Sequence, residues 1–549
     1  MNELSALIST LASNTTLTLE KEKTYHVCQD NSFSLVGFFC TNTATRRENP
    51  NGKREAAIFL QNKHDIVIDG NGACILVHGK MTPFVFDRCE NITVRNLTVE
   101  YARPTMTEFT VLRNENGACD LKINEDCLFA IHQKTLFWIG ERDSAGHPYW
   151  KEKLGDPHQQ TRIFDPKTGL SHIVLRSNLA YKNIQQLDKH TVRIFFKNKN
   201  PDFLPGCVVQ TRSIVRDQSG SLLQRCKNSV FENVRIRFMH GLGMTAQFCD
   251  TVTYRSCDFT PADGRTVAST ADFFHFSGCK GLITIEDCSA QGAHDDYVNI
   301  HGTYLQVVKI NRRKKQIRVR FMHPETWGLQ AFEIGDNLEF IRWNTLQPYA
   351  QTQVAAYKKC SKTDILLTLN TPVPDGIKVR RDVIENITWT PDAHIQNCRF
   401  GPTAGRGILS TTRGEVLIEN NLFDRLSGEA LSVSGDCHSW YESGATTRVT
   451  FRKNRVIHCG YGTDAWHSAC IRYHPVVYNG HPECYVHGSL ILADNHFEKP
   501  PYDRHKIALS HLRNFFLYGN YYDKKPYLET ENVGTGYRES KEYMDCFDW

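Results

Sequence analysis

The sequence has 549 residues, about three to four times the length of a typical domain, so it can bury a large core. Its formal net charge is only +5, which argues against a nucleic-acid-binding protein. Charged residues at 23% and aromatic residues at 11% exclude a disordered chain, and no segment approaches the ~20 apolar residues of a membrane span. We predict a folded protein that binds neither nucleic acid nor a membrane.

The first residues and the cysteines bear on the cellular compartment. The stretch MNELSALISTLASNTTLTLE lacks a basic region followed by a continuous apolar run, so it is not a secretory signal. We expect a cytoplasmic protein if the sequence is complete, and a periplasmic or secreted one if a signal peptide was trimmed. The 19 cysteines form no CxxC pair, which argues against a zinc ribbon. Many recur at fixed positions of the repeat described next, which favours buried free thiols.

A six-residue pattern recurs along the chain: apolar, any, small polar, Leu/Val/Cys/Asn, any, apolar. It starts at Val94, Phe231, Tyr254, Ile285, Ile395, Ile418, Phe451, Leu492 and Leu517. Strands repeated at such periods cannot bury their own faces and must stack as coils of a solenoid. One motif position carries Cys257, Cys288 and Cys398, then Asn421, Asn454, Asn495 and Asn520, which predicts a stacked ladder. The fold class is therefore predicted to be all-β, a right-handed parallel β-helix.

The ends and interruptions of the solenoid set the domain plan. Leu4, Leu7, Ile8 and Leu11 have helical spacing and predict a helix that caps the exposed end of the core. Two long gaps in the repeat contain short alternating strands, which predict two inserted β-barrel-like modules. The predicted domains are 1–102 (cap and first coils), 103–218 (first module), 219–303 (coils with the site), 304–385 (second module) and 386–549 (C-terminal coils).

Four aligned segments, STADFFHFSG, AHDDYVNIHG, GRGILSTTRG and SGEALSVSGD, carry most of the chemistry. Alternation predicts an inward phase with Phe274, Phe276, Val298, Ile300, Ile408, Leu431 and Val433, and an outward phase with Phe273, His275, Tyr297 and Asn299. At the strand entrances stands a column of Asp272, Asp296, Arg406 and Glu429. Four unpaired charges cannot face the core, so we expect a bend or bulge to turn them outward.

Three carboxylates, Asp272, Asp295 and Asp296, should then converge on coils ~4.8 Å apart. Like charges at that distance cannot all ionise, so one carboxyl stays protonated near neutral pH. A protonated and an ionised carboxyl together are what glycoside cleavage requires, and ~6.5–9.5 Å between them is typical of inverting enzymes. A turn-capping or cation-binding role for the aspartates is the structural alternative.

These motifs resemble glycoside hydrolase family 110, the bacterial exo-acting α-1,3-galactosidases that remove the terminal galactose of blood group B structures. The resemblance rests on ADFFHF around Asp272, on HDDYVNIHG around Asp295 and Asp296, and on the β-helix with two insertions. It implies metal-independent and cofactor-free hydrolysis, with inversion, of an oligosaccharide that ends in α-1,3-linked galactose. By analogy with the similar aspartates of family 28 polygalacturonases, Asp295 is the general acid, and Asp272 and Asp296 are the base pair.

The same coils carry candidate sugar-binding residues: His275, His294, Tyr297, Asn299, His301, Arg406 and Glu429. For each of them a satisfied structural polar group is the alternative, and Arg406 and Glu429 could pair with each other. Trp389, Trp440 and Trp466 are candidates for an aromatic platform under the sugar, although most tryptophans in such a chain are packing residues. No HExxH or similar metal signature is present, so we predict no metal site.

Three other functions fit the same fold. A hydrolase of polygalacturonase-like or carrageenan-derived galactosides would need a Lys/Arg cluster beside the aspartates, and the catalytic coils show mainly Arg406. A polysaccharide lyase would need calcium and an Arg, Lys or Tyr residue as the catalytic base. A non-catalytic carbohydrate-binding β-helix would use the aspartates only to hold sugar or a cation. The sequence leaves a homodimer formed through an insertion module open.

Overall fold

The computed structural model describes residues 2–45, 47–156, 158–174, 179–197, 203–327, 330–462, 468–478, 484–501 and 505–538. Two long parallel sheets, each built by strands from successive coils, form the right-handed parallel β-helix that the repeat predicts. One continuous apolar core lies between the two sheets and runs from Leu4 to Leu517.

Sheet A carries the repeat motif at its corners. Its strands are Thr15–Thr18, Thr24–Cys28, His64–Asp69, Cys74–His78, Glu90–Tyr101, Lys227–Ile236, Asp250–Arg255, Asp258–Phe259, Lys280–Glu286, Ser289–Ala290, Asp392–Gln396, Arg399–Phe400, Glu415–Glu419, Leu422–Asp424, Arg448–Arg452, Arg455–Ile457, His487–Ala493, His496–Glu498, Leu512–Tyr518, Tyr521–Tyr522 and Thr535–Arg538. The predicted ladder is present in the structure. The Asn421 amide donates to Asn454 Oδ1 at 3.0 Å, and Asn454 continues to Asn495 at 3.2 Å.

Sheet B carries the coils of the candidate site. Its strands are Phe33–Leu35, Arg54–Gln61, Thr82–Asp87, Ser219–Gln224, Leu242–Gln247, Phe274–Ser277, Val298–Thr303, Ile408–Thr411, Leu431–Val433, Ile471–Tyr473, Lys506–Ser510 and Tyr527–Glu531. Glu442–Ser443 pairs antiparallel with Gly302 and Thr303 at its edge. Residues of the predicted inward phase, such as Phe274 and Val298, are buried in the core.

A short helix, Glu3–Ser9, covers the first coil, as predicted. The side chain of Asn2 accepts a hydrogen bond from Ser5 N–H at 2.8 Å and so caps its N-terminus. Leu4 and Ile8 reach the core, whereas Leu7 faces solvent. A 3₁₀ turn follows at Gln29–Asn31. Among the described residues, no helix has the length and apolar character needed to cross a membrane.

Two insertions interrupt the solenoid. The first is an antiparallel sheet of Thr107–Glu115, Ala118–Ile123, Gln159–Asp165, Leu170–Val174, Tyr181–Gln186, Thr191–Phe196 and Val208–Ser213, with a smaller sheet of Leu128–His132, Thr135–Ile139 and Lys151–Lys153. The second closes into a barrel of Leu305–Asn311, Gln316–Arg320, Asn337–Ile341, Pro348–Lys359, Asp364–Leu369 and Val383–Asn386. Each module has its own apolar core, so each is a folded unit attached to the coils.

Candidate active site

The three aspartates lie where two neighbouring coils enter sheet B. Asp272 precedes the strand Phe274–Ser277, and Asp295 and Asp296 precede the strand Val298–Thr303. Phe273 N–H donates to the carbonyl of Asp296 at 3.1 Å, so the two entrances stack directly. One oxygen from each carboxylate lies within 4.8 Å of the other two.

The outward orientation predicted for Phe273 and Tyr297 is wrong. Both rings are fully buried in the core, where they stack on each other with centroids 5.4 Å apart. The Tyr297 hydroxyl donates to the carbonyl of Gly401 at 2.8 Å. The bend that turns the preceding aspartate outward also resets the alternation, because the next residue then faces the opposite side. Tyr297 is therefore a packing residue and does not face the carboxylates.

Arg406 pairs with Asp296 and not with Glu429. Its Nε and Nη2 donate to the two oxygens of Asp296 at 2.6 and 2.8 Å, which is a bidentate ion pair. Glu429 is fully buried one coil further on, and Arg472 lies 3.8 Å from it. The column of charged residues at the strand entrances is thus neutralised in part by ion pairs between coils.

A chain of buried hydrogen bonds leads away from Asp272. His275 Nδ1 lies 2.7 Å from Asp272 Oδ2, and His275 Nε2 lies 3.1 Å from His301 Nε2. His301 Nδ1 lies 2.6 Å from the carbonyl oxygen of Gly302. All three side chains are almost inaccessible to solvent. His275 therefore contacts Asp272 directly, and His301 is linked to Asp272 through His275.

The acceptors in this series of hydrogen bonds show which side-chain atoms carry a proton. A carbonyl only accepts, so His301 carries its proton on Nδ1, and its Nε2 accepts from His275. Burial lowers the pKa of His275 to about 4, so this histidine is neutral and its Nδ1 has no proton. The Asp272 carboxyl must then be the donor to His275. Burial and the charge of Asp295 also raise the pKa of Asp272 well above its usual range.

Asp295 differs from its neighbours because 41% of its side chain is exposed. Burial would raise its pKa, but surrounding guanidinium groups, with Arg216 the strongest, lower it below the usual value. Arg216 Nη1 lies 3.8 Å from Asp295 Oδ2. Arg162 and Arg212 of the first module also contribute. The catalytic coils themselves carry mainly Arg406, and the first insertion supplies further arginines that the coils lack.

Asp296 is buried and strongly paired. Burial raises its pKa above the usual range, and Arg406, which donates to both of its oxygens, opposes that rise. Because both carboxylate oxygens accept from the guanidinium, we assign Asp296 as ionised. At neutral pH the three carboxyls therefore hold one proton, on Asp272, next to two negative charges. That is the combination of acid and base that hydrolysis of a glycosidic bond needs.

Several residues of the site lie outside the repeat and are not predicted from it. Arg216 is held by Glu325 of the barrel at 2.6 Å. The Asn42 side chain donates to Glu442 at 3.0 Å, and Glu442 lies 3.6 Å from His301. These residues come from an N-terminal loop, the first module, the barrel and a late loop. No periodic signal marks them, since only the coils repeat.

Two further predicted residues have different surroundings. Asn299 pairs with His275 in register on sheet B, and its Oδ1 has no hydrogen-bond partner among the described residues. That oxygen is buried, so the described structure leaves it as an unsatisfied hydrogen-bond acceptor. His294 Nε2 instead lies 2.9 Å from Gln210 of the first module, so His294 ties the module to the coil.

The three candidate tryptophans differ in their exposure and in their position relative to the carboxylates. Trp389 is buried and stacks on Phe248 with centroids 3.7 Å apart, so it packs away from the carboxylates. Trp440 is 39% exposed and lies 5.9 Å from the Arg216 guanidinium, beside the site. Trp466 lies outside the described residues. Trp440 is thus the candidate for an aromatic surface that contacts substrate.

The carboxylate cluster is also the group, within the described chain, whose geometry could hold a metal ion. The arginines argue against that occupant. Arg406 already takes both oxygens of Asp296, and Arg216 lies beside Asp295. A cation placed among the three carboxylates would meet these two fixed positive charges.

We expect Asp272→Asn to change how stability depends on pH. A carboxyl whose pKa is raised by folding binds more protons in the folded than in the unfolded state. Below about pH 4 this carboxyl does not lower the free energy of unfolding. As pH rises from there towards the folded pKa, it lowers that free energy by about 1.4 kcal/mol per pH unit. The amide that replaces the carboxyl can still donate to His275. The variant should therefore unfold at higher denaturant concentration than wild type at pH 8, with a smaller gain at pH 5.

Chemical denaturation of the variant and the wild type at pH 5 and pH 8 measures this difference. The contributions of the other titrating groups cancel when the two proteins are compared at the same pH. A gain that is equal at pH 5 and pH 8 would contradict a protonated Asp272.

Comparison with known proteins gives consistent matches. A family model described as GLAA-B beta-barrel domain II matches residues 316–384, within the second insertion. Alpha-1,3-galactosidase A of Akkermansia muciniphila is 35% identical over 455 residues, which cover 82% of this chain and 72% of that protein. Alpha-1,3-galactosidase A of Bacteroides thetaiotaomicron is 33% identical and covers 78% and 73%. Alpha-1,3-galactosidase B of the same species is 31% identical and covers 80% and 71%.

Among solved structures, the family 28 exopolygalacturonase of Yersinia enterocolitica matches 98% of this chain and 75% of its own. Its sequence identity is 9% and its TM-score is 0.38. The relatives above 30% identity extend over most of the chain, including the coils that carry Asp272, Asp295 and Asp296 within ADFFHF and HDDYVNIHG. The chain therefore belongs to the α-1,3-galactosidase family, glycoside hydrolase family 110.

Proposed function

We propose that this protein is an exo-acting glycoside hydrolase that removes terminal α-1,3-linked galactose from blood group B-type glycans and from linear α-1,3-galactosides. The observation that carries the proposal is the cluster of three carboxylates that holds one proton beside two negative charges. The names of the relatives supply the sugar and the linkage. The enclosure of the cluster by four separate segments fits an enzyme that accepts only a chain end.

In the proposed reaction one carboxyl protonates the leaving oxygen while another activates water. Asp295 is the proposed acid, because it alone of the three is substantially exposed and can reach a substrate oxygen. Its lowered pKa stands against this role in the free protein. The role therefore requires the proton to move from Asp272 to Asp295 when substrate covers the site. Asp272 and Asp296 then hold the attacking water.

Inversion is proposed from the family resemblance. We expect a proton NMR time course with fucosylated group B trisaccharide to show β-galactose before mutarotation produces the α-anomer. α-Galactose as the first product would contradict inversion. Linear α-1,3-galactobiose in a parallel reaction gives the ratio of rates on branched and linear substrates. No release of galactose from either would overturn the proposed activity.

A second candidate, hydrolysis of acidic galactosides, is favoured by Arg162, Arg212 and Arg216 near Asp295. Arg216 is already paired with Glu325, which reduces its capacity to bind an anion. Arg212 is buried, and its burial and its neighbouring arginines lower its pKa to about 9. Sulfated galactosides as a third substrate in the same time course decide this point, since only an anion-binding site would prefer them.

A further inference from the structure

A separate pocket opens between the N-terminal loop and the barrel. Its volume is about 510 Å³, within the ~300–1,000 Å³ typical of small-molecule sites. This barrel pocket is lined by Thr45, Arg47, Met322, His323, Pro324 and Trp327, among others. None of these residues belongs to the solenoid coils.

A series of contacts connects the wall of the barrel pocket to Asp295. His323, in its wall, stacks on Trp440 with ring centroids 4.1 Å apart. Trp440 lies 5.9 Å from the Arg216 guanidinium, which in turn lies 3.8 Å from Asp295. Glu325, next to Pro324 in the chain, is the residue that holds Arg216. Trp440 and Arg216 therefore connect the pocket wall to the exposed carboxylate.

The groups around the pocket suit a saccharide. Trp440 offers an exposed aromatic ring, and its loop is fixed because Trp440 N–H and Ser439 N–H donate to the Asp436 carboxylate at 2.6 and 3.0 Å. Aromatic faces pack against the C–H face of a sugar ring. Met322 and Trp327 add apolar wall.

The same wall carries spare hydrogen-bond donors. His323 Nδ1 accepts from Glu325 N–H at 3.2 Å, and burial lowers the pKa of His323, so the neutral ring carries its proton on Nε2. No partner for that N–H occurs among the described residues. The buried indole N–H of Trp327 is likewise unpartnered there. Sugar hydroxyls can satisfy such donors.

We propose that the barrel pocket holds the saccharide on the leaving-group side of the cleaved bond, and that Trp440 and His323 select for it. The proposal rests on the proposed function, because it needs a bond cleaved at Asp295. It assigns the second insertion a role in substrate choice: the coils supply the chemistry, and the barrel, together with Thr45 and Arg47, recognises the sugar to which the galactose is attached.

The test fills the pocket and compares substrates with and without a leaving-group saccharide. Met322→Trp should lower kcat/KM for group B trisaccharide and for linear α-1,3-galactobiose by at least about tenfold, mainly through KM. Hydrolysis of α-galactosyl fluoride, whose leaving group is a single atom, should fall by less than about threefold. The matched control is Ile334→Trp, since Ile334 lies on the same barrel and is 70% exposed. It should leave all three rates unchanged.

A second variant removes contacts without filling space. Trp440→Ala should raise KM for the oligosaccharides, and Trp440→Phe, which keeps an aromatic face, should restore most of the loss. Equal losses on the fluoride and the oligosaccharides, or none in either variant, would overturn the pocket assignment. That failure differs from failure of the proposed function, in which the wild-type protein itself would release no galactose.

Discussion

Asp295→Asn should reduce hydrolysis of group B trisaccharide by about 10²–10⁴-fold, the range that a positioned acid contributes. The amide has nearly the shape of the carboxyl but cannot deliver a proton to the leaving oxygen. Fluoride needs little such help, so the same variant should keep most of its activity on α-galactosyl fluoride. Asp272→Asn and Asp296→Asn should hydrolyse both substrates slowly, because both reactions need an activated water.

Steady-state kinetics on the two substrates check these outcomes. Asp287→Asn is the matched control, since Asp287 is exposed at a coil corner whose backbone φ of 54° asparagine also adopts. It should retain wild-type rates. If Asp272→Asn keeps its activity on the fluoride while Asp295→Asn does not, the two residues exchange roles. Near-normal turnover of trisaccharide by any of the three variants would remove that residue from the mechanism.

Arg406→Met should abolish turnover and also destabilise the fold by about 3–5 kcal/mol, the cost of leaving a buried charge without its partner. Asp296 is 1% exposed and would lose both of its guanidinium hydrogen bonds. Adding Asp296→Asn to Arg406→Met should recover much of the stability, because no unpaired charge remains, but none of the activity. Denaturant unfolding at pH 7 gives the four free energies of this cycle.

The control for this cycle is Arg448→Met on the solvent face of the same solenoid. Arg448 pairs with Glu415 at 2.6 Å, but about half of each side chain is exposed. Exposed pairs contribute about 0.2–1 kcal/mol, so this variant should unfold almost as wild type does. If Arg406→Met is no more destabilising than Arg448→Met, the ion pair with Asp296 is not maintained in solution.

The repeat allowed the solenoid to be predicted because each corner adopts the same backbone conformation. The third motif position, as at Asn96, Asn233, Asp287 and Asn397, has a φ between 52° and 56°. Asn, Asp and Gly tolerate that left-handed conformation best, which explains the small polar residues in the pattern. The next position then turns inward and stacks as the cysteine and asparagine ladder.

The site was predicted only where it lies on the coils. The three aspartates, His275 and His301 have fixed positions in the repeat, so their proximity follows from coil stacking. Arg216, Glu325 and Glu442 come from segments without periodicity, and nothing in their local sequence points to the cluster. Tyr297 was misplaced for a different reason, since strict alternation was carried through a bend that resets it.

The contact between Asn42 and Glu442 joins residues 400 positions apart. Solenoid coils contact mainly their neighbours, so the β-helix can extend step by step as the chain grows. The rim of the carboxylate site cannot form in this stepwise way. It is complete only after the loop that carries Glu442 has returned to the loop that carries Asn42. During synthesis the carboxylates would therefore assemble early, while the closed site that the proposed exo-acting activity requires would form last.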